Sequence, residues 1–400
     1  MSWEYKAAEE YCESVRDGTH DTPKQTESGY KLVTGKHIKN GQIDPSDAYY
    51  ISEQDYTKIN ERSLVEQWDV LMSMIGTVGE VAIVQDHPNY AIKNVALFKC
   101  GGSELKGKWL AYYLRSSEAQ GHMTGNQKGS SQQFLSLKQL RGLPVPTTDE
   151  KYMQRVVNIL SAYDDLIENN QKQIKLLEEA AQRLYKEWFV DLRFPGYENT
   201  PIIDGVPQGW NVRKLETFGE IITGKTPSTV KESYYNGDIP FVKIPDMHNT
   251  IYPIITESNL SEEGANTQKN KFIPKDSLMV SCIATVGLVN ISVQECQTNQ
   301  QINSIILNDV RDLYYLYFST KGLKMLLDGV GSNGATMTNV NKSKFANIEI
   351  LYPTIELCEQ FYDFCKPIFE KILVLNKSTI ELKNSRDQLL PKLMNGELEV

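Results

Sequence analysis

The most regular hydrophobic pattern in the chain lies between residues 149 and 192. Apolar residues recur there in alternating steps of three and four, the 3.5-residue spacing of a coiled-coil seam. The segment contains no proline or glycine, so the pattern predicts one uninterrupted helix, roughly 65 Å long at about 1.5 Å per residue. The seam positions are Met153, Val156, Leu160, Tyr163, Ile167, Asn170, Ile174, Leu177, Ala181, Leu184 and Trp188.

A second seam runs from residue 361 towards the C-terminus. Thr379 and Arg386 interrupt it, and a neighbouring apolar stripe widens the face. Pro367 falls early in this segment, which predicts a short helix before it and the main helix after it. The apolar positions of this seam are Cys365, Ile368, Ile372, Leu375, Leu382, Leu389 and Leu393.

The two seams belong to a larger internal repeat with an offset of about 206 residues. That offset places Asn170 on Asn376, and the β-rich run 69–83 is similarly matched by 277–291. Each copy is a block of short strands and loops followed by a long helix. Duplicated units tend to pack about a pseudo-two-fold axis, which makes two paired helices antiparallel.

These patterns predict an α+β protein. We expect two similar mixed α/β domains at opposite ends of a long antiparallel coiled coil of two helices. The segments, in order, are a first domain, a first coiled-coil helix, a linker, a second domain and a second helix, at residues 1–148, 149–192, 193–209, 210–353 and 354–400.

The charge and composition narrow the class of protein without defining it. The net charge of −9 disfavours a nucleic-acid partner at first sight, but it is spread over segments that are each close to neutral, so local basic faces remain available. No apolar run reaches the length of a membrane span, and the N-terminus lacks the pattern of a secretory signal. The six cysteines show no metal-binding spacing, which indicates free thiols and a cytoplasmic protein.

Catalytic motifs are missing from the sequence. No glycine-rich phosphate loop follows a strand, and the five histidines show neither metal-ligand spacing nor a nucleophile elbow. His20, within the stretch 17–24 (DGTHDTPK), is the strongest catalytic candidate. A loop histidine that bonds the backbone or touches DNA is the favoured interpretation, so we expect a protein without catalytic, metal or cofactor sites.

Two unlike domains on a rigid spacer suit a ligand with two sites at a fixed separation. B-DNA presents the same face about every 34 Å, and the predicted loops carry side chains that contact bases and phosphates. In the first domain the candidate DNA contacts are Lys36, His37, Lys39, Asn40, Asn126, Gln127 and Lys128. In the second domain they are Lys225, Ser228, Lys243, Asn249, Asn299, Gln300 and Asn333.

Several stretches resemble the specificity subunits of type I restriction–modification systems. Residues 17–24 resemble the opening of that family's first recognition domain, although the Pro-x-Gly-Trp opening is missing there. The opening and core of the second recognition domain are matched by 206–210 (VPQGW), 223–228 (TGKTPS) and 298–302 (TNQQI). The segment 384–398 (NSRDQLLPKLMNGEL) closely resembles the family's C-terminal region.

The resemblance implies a non-catalytic subunit that binds double-stranded DNA. Each domain would be a target recognition domain for one half of a bipartite sequence, and the coiled coil would set the unread spacer. Two modification subunits would dock on it, supplying S-adenosylmethionine and adenine methylation. Two restriction (motor-nuclease) subunits, with ATP and Mg²⁺, would join for cleavage.

Two alternatives come from other classes. One is a non-catalytic coiled-coil adaptor that binds proteins and does not contact DNA. The other is a self-contained enzyme, which the missing motifs disfavour.

Overall fold

A computed structural model describes residues 3–39, 41–76, 78–125, 134–324 and 339–400. By its internal contacts the chain divides into two units. Unit 1 comprises Met1–Ile167 and Glu381–Val400, and unit 2 comprises Glu168–Ile380. Both boundaries fall inside long helices, so each unit contains a part of each long helix.

Unit 1 is built around a four-stranded antiparallel sheet, its central sheet. In order across the sheet its strands are Ser14–Asp17, Val95–Lys99, Val70–Ser73 and Val81–Ile83. A three-stranded small sheet has the order Tyr50–Ile51, Tyr30–Val33 and Tyr90–Ile92, of which the last two are parallel. Two-stranded pairs join Glu4–Ala7 to Pro144–Thr147 and Ile38–Lys39 to Gln42–Ile43.

The helix Glu104–Arg115 covers the central sheet of unit 1. Ser103 caps it by accepting a hydrogen bond from the Lys106 N–H, and the helix is buried on nearly every side from Trp109 onward. Gly107 is required because a Cβ there would lie 2.2 Å from the Trp68 carbonyl oxygen. The other helices of this unit are Ala8–Tyr11, Gly35–His37 (3-10), Glu53–Ser63, Ser117–Gly125 and Leu137–Arg141.

Unit 2 repeats this plan in its central sheet, its small sheet and one two-stranded pair. Its central sheet has the order Gly219–Thr223, Ile302–Leu307, Leu278–Ser281 and Val289–Ile291. Its small sheet has the order Asn259–Leu260, Tyr235–Val242 and Gln297–Thr298, again with one parallel pair. Two-stranded pairs join Asn211–Lys214 to Glu349–Tyr352 and Ile202–Ile203 to Val206–Pro207. The predicted internal repeat is therefore confirmed in the topology.

Unit 2 also contains short helices, of which Leu313–Gly322 packs on the central sheet and is buried from Leu313 to Thr320. Its α-helices, apart from its share of the long ones, are Ile244–Met247, Glu262–Asn266, Leu313–Gly322 and Lys342–Ala346. Its 3-10 turns are Tyr197–Asn199, Leu215–Thr217, Glu232–Tyr234, Lys269–Lys271 and Val310–Asp312.

The first long helix spans Glu150–Tyr185 and ends in a π-helical turn at Lys186–Val190. Every predicted seam position along it is buried or partly buried. The helix stops two residues before the predicted end, because the chain turns at Asp191 and Leu192 adopts a positive φ of 57°.

The second long helix is continuous from Ile355 to Met394, so the predicted break at Pro367 is wrong. A proline in a helix removes one backbone hydrogen bond and crowds the preceding turn. Pro367 itself is exposed, whereas Cys365 and Phe369 on either side of it are fully buried. We attribute the continuity to this burial, which holds both flanking turns against the core.

The two long helices run antiparallel in each unit. In unit 1 the Tyr152 hydroxyl donates to the Leu393 carbonyl oxygen at 2.9 Å, and Arg386 binds Asp164 at 2.6 Å. In unit 2 the Asn170 amide donates to the Ser378 hydroxyl at 3.4 Å. The predicted antiparallel pair is confirmed, and Arg386 interrupts the second seam because it pairs with a carboxylate on the first helix.

Replacing a seam leucine should destabilise unit 1 far more than replacing an exposed one. Leu160 is 0% exposed and Leu166, on the same helix, is 51% exposed. We expect Leu160→Ala to lower the free energy of unfolding by about 3 kcal/mol, since it leaves a cavity in the seam. Denaturant titration of both alanine variants measures the difference, and equal effects would contradict the seam assignment.

Candidate nucleic-acid interface

In unit 2, the loops that follow the two parallel strands of the small sheet, Tyr235–Val242 and Gln297–Thr298, begin next to each other. Phe241 and Val242 pair in register with Gln297 and Thr298, and the Asn299 N–H continues the ladder to the Val242 carbonyl oxygen at 3.2 Å. Because both strands point the same way, the residues that follow them meet at one edge of the unit.

A third segment, residues 223–228, packs on this edge. The Lys225 N–H donates to the Thr298 carbonyl oxygen at 2.9 Å, and the Thr226 hydroxyl donates to Gln300 Oε1 at 2.7 Å. Gly224 makes the approach possible, because a Cβ there would lie 2.2 Å from two backbone carbonyl oxygens. We call this meeting of segments the loop edge of unit 2.

Several of the predicted contacts of the second domain meet at this loop edge. Lys225 and Gln300 are exposed there, and Lys243 follows the adjoining strand with its Nζ 3.2 Å from Glu257 Oε2. In the described part of the chain, Lys225 has no carboxylate within ion-pair distance. Ser228 and Asn249 are exposed, and among the described residues no side-chain hydrogen bond joins either of them to Lys225, Lys243 or Gln300.

Asn299 has a different place from the one predicted. Its side chain is buried, its amide donates to Gln301 Oε1 at 2.9 Å, and its Oδ1 accepts the Gln301 N–H. Both polar ends of the side chain are used inside the loop. Asn299 is therefore placed to hold the loop in shape rather than to reach a base.

Unit 1 forms an equivalent loop edge with different side chains. The Lys93 N–H donates to the Val33 carbonyl oxygen at 2.9 Å, and the Thr19 N–H donates to the Ile92 carbonyl oxygen at 3.0 Å. Gly18 again allows the close approach, since a Cβ would lie 2.3 Å from the Ile92 carbonyl oxygen.

His20 forms a side-chain link across the loop edge of unit 1, and Lys93 Nζ with the Thr22 hydroxyl forms another. The His20 Nδ1 lies 2.8 Å from Asn94 Oδ1, and its Nε2 lies 3.0 Å from the buried carboxylate of Asp17. That carboxylate is also paired with Arg62. The ring is exposed and is held in the loop by hydrogen bonds at both of its nitrogens.

The predicted contacts of the first domain divide into exposed lysines and a buried histidine. Lys36 and Lys39 are exposed, and Lys36 Nζ lies 3.1 Å from Asp47 Oδ2. His37 is buried: its Nδ1 accepts the Thr34 N–H at 2.8 Å, and burial lowers its pKa below the usual value. The neutral ring fixes the turn. This buried position argues against the predicted contact between His37 and DNA and makes His37 a support of the loop instead. Five predicted contacts lie outside the described residues: Asn40, Asn126, Gln127, Lys128 and Asn333.

The sequence contained a signal for residues that the prediction missed. The offset of 206 places Lys93 and Asn94 on Asn299 and Gln300, and it places His20 on Thr226. Both units therefore carry a side-chain pair across the same two loops, His20 with Asn94 and Thr226 with Gln300. Applying the offset to single residues would have found the whole edge in unit 1.

Within the described parts of the chain, no cluster of histidine, cysteine and carboxylate side chains could hold a metal ion. No described helix combines the length and apolar character needed to cross a membrane. The loop edge of unit 2 offers an exposed lysine and an exposed amide, Lys225 and Gln300, and the edge of unit 1 offers the partly exposed Lys93 and Asn94. Lysines and amides are groups that contact phosphates and base edges.

The family model of the type I restriction modification DNA specificity domain matches residues 2–179 and 207–384 of this sequence. The chain belongs to this family, as its motifs predicted, and carries the domain twice. Its role is DNA sequence recognition as the specificity subunit of a type I restriction–modification system. Such subunits are non-catalytic, and the enzymatic activity resides in partner subunits.

Curated relatives support the same assignment along most of the chain. The HindI specificity subunit of Haemophilus influenzae is 31% identical over 403 residues, covering 84% of this chain and 88% of the relative. The MjaIX specificity subunit of Methanocaldococcus jannaschii is 27% identical over 347 residues, covering 83% and 78%. The crystal structure of an S subunit from M. genitalium has a TM-score of 0.59 at 14% identity, covering 98% of this chain and 96% of that chain, which shows a shared fold.

An exposed lysine in each unit, Lys39 in unit 1 and Lys225 at the loop edge of unit 2, provides a test of phosphate contact. We expect Lys39→Ala in unit 1 and Lys225→Ala in unit 2 each to weaken DNA binding and to reduce the salt slope by about one. Binding isotherms at several salt concentrations measure both effects.

Lys371→Ala is the matched control, since this lysine is exposed on the second long helix of unit 2. A lysine whose replacement leaves the salt slope unchanged does not contact phosphate.

Proposed function

We propose that each unit reads one half of a bipartite DNA sequence through its loop edge, and that the paired long helices set the unread spacer. The observation that carries this proposal is the equivalence of the two edges. Their backbone hydrogen bonds correspond, whereas Thr19, His20 and Lys93 of unit 1 are replaced by Lys225, Thr226 and Asn299 in unit 2. One scaffold with two sets of side chains suits two different half-sites.

The chemistry of the edges fits contacts to a duplex. Amide side chains such as Gln300 and Asn94 can pair with adenine in the major groove, and lysines bind phosphates or guanine. The net charge of −9 does not oppose this, because an exposed cation such as Lys225 acts locally and has no described carboxylate partner.

The partners follow from the absence of catalytic motifs and from the family. Two modification subunits dock on the long helices and the recognition units, bind S-adenosylmethionine and methylate adenine within the recognised sequence. Two restriction subunits, which use ATP and Mg²⁺, join for cleavage. This chain supplies the recognition surfaces and no reacting group.

The experiment that tests the proposal is methylation mapping. The chain is produced together with its modification subunits in cells lacking other adenine methylation, and modified adenines are mapped across the genome. We expect one motif split into two parts by a spacer of constant length. Methylation without a motif, or a motif without a spacer, would overturn the proposal.

The paired long helices, which we propose set the spacer, can be shortened without disrupting the seam. Residues 168–174 of the first long helix lie opposite 374–380 of the second, as the Asn170–Ser378 hydrogen bond shows. Removing both heptads keeps the 3.5-residue pattern and shortens each helix by about 10 Å, or about three base pairs of duplex. We expect both half-sites to be retained and the spacer in the methylation map to shorten by about that amount.

Removal of only one of the two heptads is the control, because it breaks the pairing and should abolish folding. An unchanged spacer in the doubly shortened chain would show that the long helices do not set the separation.

A further inference from the structure

A single carboxylate on the first long helix joins three elements of unit 1. The Tyr112 hydroxyl, on the helix Glu104–Arg115, donates to Asp164 Oδ2 at 2.9 Å. Arg115 Nη1, on the same helix, lies 3.6 Å from that oxygen. Arg386 of the second long helix lies 2.6 Å from Asp164 Oδ1. We call the residues of each unit outside the two long helices its recognition part. Asp164 therefore ties the recognition part of unit 1, through the helix Glu104–Arg115, to both long helices.

Unit 2 contains the same kind of connection. The Tyr317 hydroxyl, on the helix Leu313–Gly322, donates to Glu178 Oε1 at 2.9 Å, and Lys321 Nζ lies 2.5 Å from that oxygen. In both units a tyrosine and a cation from one helix of the recognition part therefore meet a carboxylate of the first long helix.

Both tyrosine hydroxyls are protonated donors, and their surroundings favour that state further. Burial, followed by the charge of the neighbouring carboxylate, raises the pKa of Tyr112 and of Tyr317 well above the usual value. A buried, charge-assisted hydrogen bond has a preferred direction and resists rotation of the helices that it joins.

The second connection is not a copy of the first. The offset of 206 places Asp164 on Glu370 of the second long helix, and Glu370 is exposed. The carboxylate used in unit 2 is instead Glu178, on the first long helix. Both recognition parts are thus fastened to one continuous helix, which duplication alone does not produce.

We propose that Asp164 and Glu178 are positioning residues that restrict the complex to one spacer length. Each fixes the orientation of its own recognition part on the first long helix. When a connection is weakened, that part can pivot, and sites with a neighbouring spacer length become acceptable. The inference rests on the proposed function, since it presupposes two half-sites and a spacer.

The test uses the complex of the full chain with its modification subunits. Synthetic duplexes carry both half-sites with the native spacer, or with one base pair more or fewer, and initial methylation rates are compared. We expect Tyr112→Phe and Tyr317→Phe each to reduce the preference for the native spacer about tenfold, the ratio that one hydrogen bond to a charged group supports. Glu178→Gln should act in the same direction, and the half-site sequences should not change.

Neighbouring hydroxyls provide matched controls. The Tyr113 hydroxyl has no hydrogen-bond partner in the described part of the chain, and Tyr314 packs on the rings of Tyr362 and Phe369. Tyr113→Phe and Tyr314→Phe should therefore keep the native spacer preference. Thermal unfolding of each complex verifies that the variants are folded.

The outcomes separate the two proposals. If the unaltered complex shows no split motif, the proposed function fails. If it does, and the Tyr112 and Tyr317 variants keep the native spacer preference, the positioning role alone fails. A proportionate loss of methylation at all three spacers would also overturn it, because that pattern reports a loss of folding or assembly.

Discussion

The antiparallel seam between the two long helices is the interaction on which the remaining structure depends. Its apolar positions supply the burial, and its polar positions set the register. Asp164 with Arg386 in unit 1, and Asn170 with Ser378 in unit 2, are satisfied in one alignment of the helices. A shift along the seam would separate a partly buried carboxylate from its cation, which is strongly unfavourable. A hydrophobic seam alone would tolerate such shifts more readily.

The recognition parts show how one backbone can present two different surfaces. In each unit a glycine allows one segment to approach a neighbouring carbonyl, and main-chain hydrogen bonds hold the loops at the end of the parallel strand pair. Side chains add links across each edge, such as His20 with Asn94 and Thr226 with Gln300, and supports inside the loops such as His37 and Asn299. The exposed positions between these supports can therefore differ between units without any change in topology.

Much of the fold could be predicted from the sequence, because it depends on periodicity and repetition. The 3.5-residue spacing located both long helices, and the offset of about 206 residues anticipated two matching sheets. The break expected at Pro367 did not occur, since local propensity gave way to the burial of Cys365 and Phe369. Tertiary packing of this kind cannot be predicted from a sequence segment of a few residues.

The candidate site was less predictable, because exposure is a property of the folded chain. Lys225 and Gln300 could be placed in loops by composition, but nothing local to His37 or Asn299 indicated that their side chains are buried. His20 and Asn94 are 74 positions apart and meet only through the topology of the small and central sheets. The repeat offset was the one sequence feature that could have linked them.

Gly18 and Gly224 carry a consequence for how this protein can change over generations. Any other residue at either position would push a Cβ into a backbone carbonyl, so substitutions at these two positions are not tolerated. The positions that follow them are not restricted in this way. Thr19 and Lys225, which follow the two glycines, already differ between the units, so the side chains beside each fixed glycine can change independently in the two halves of the chain.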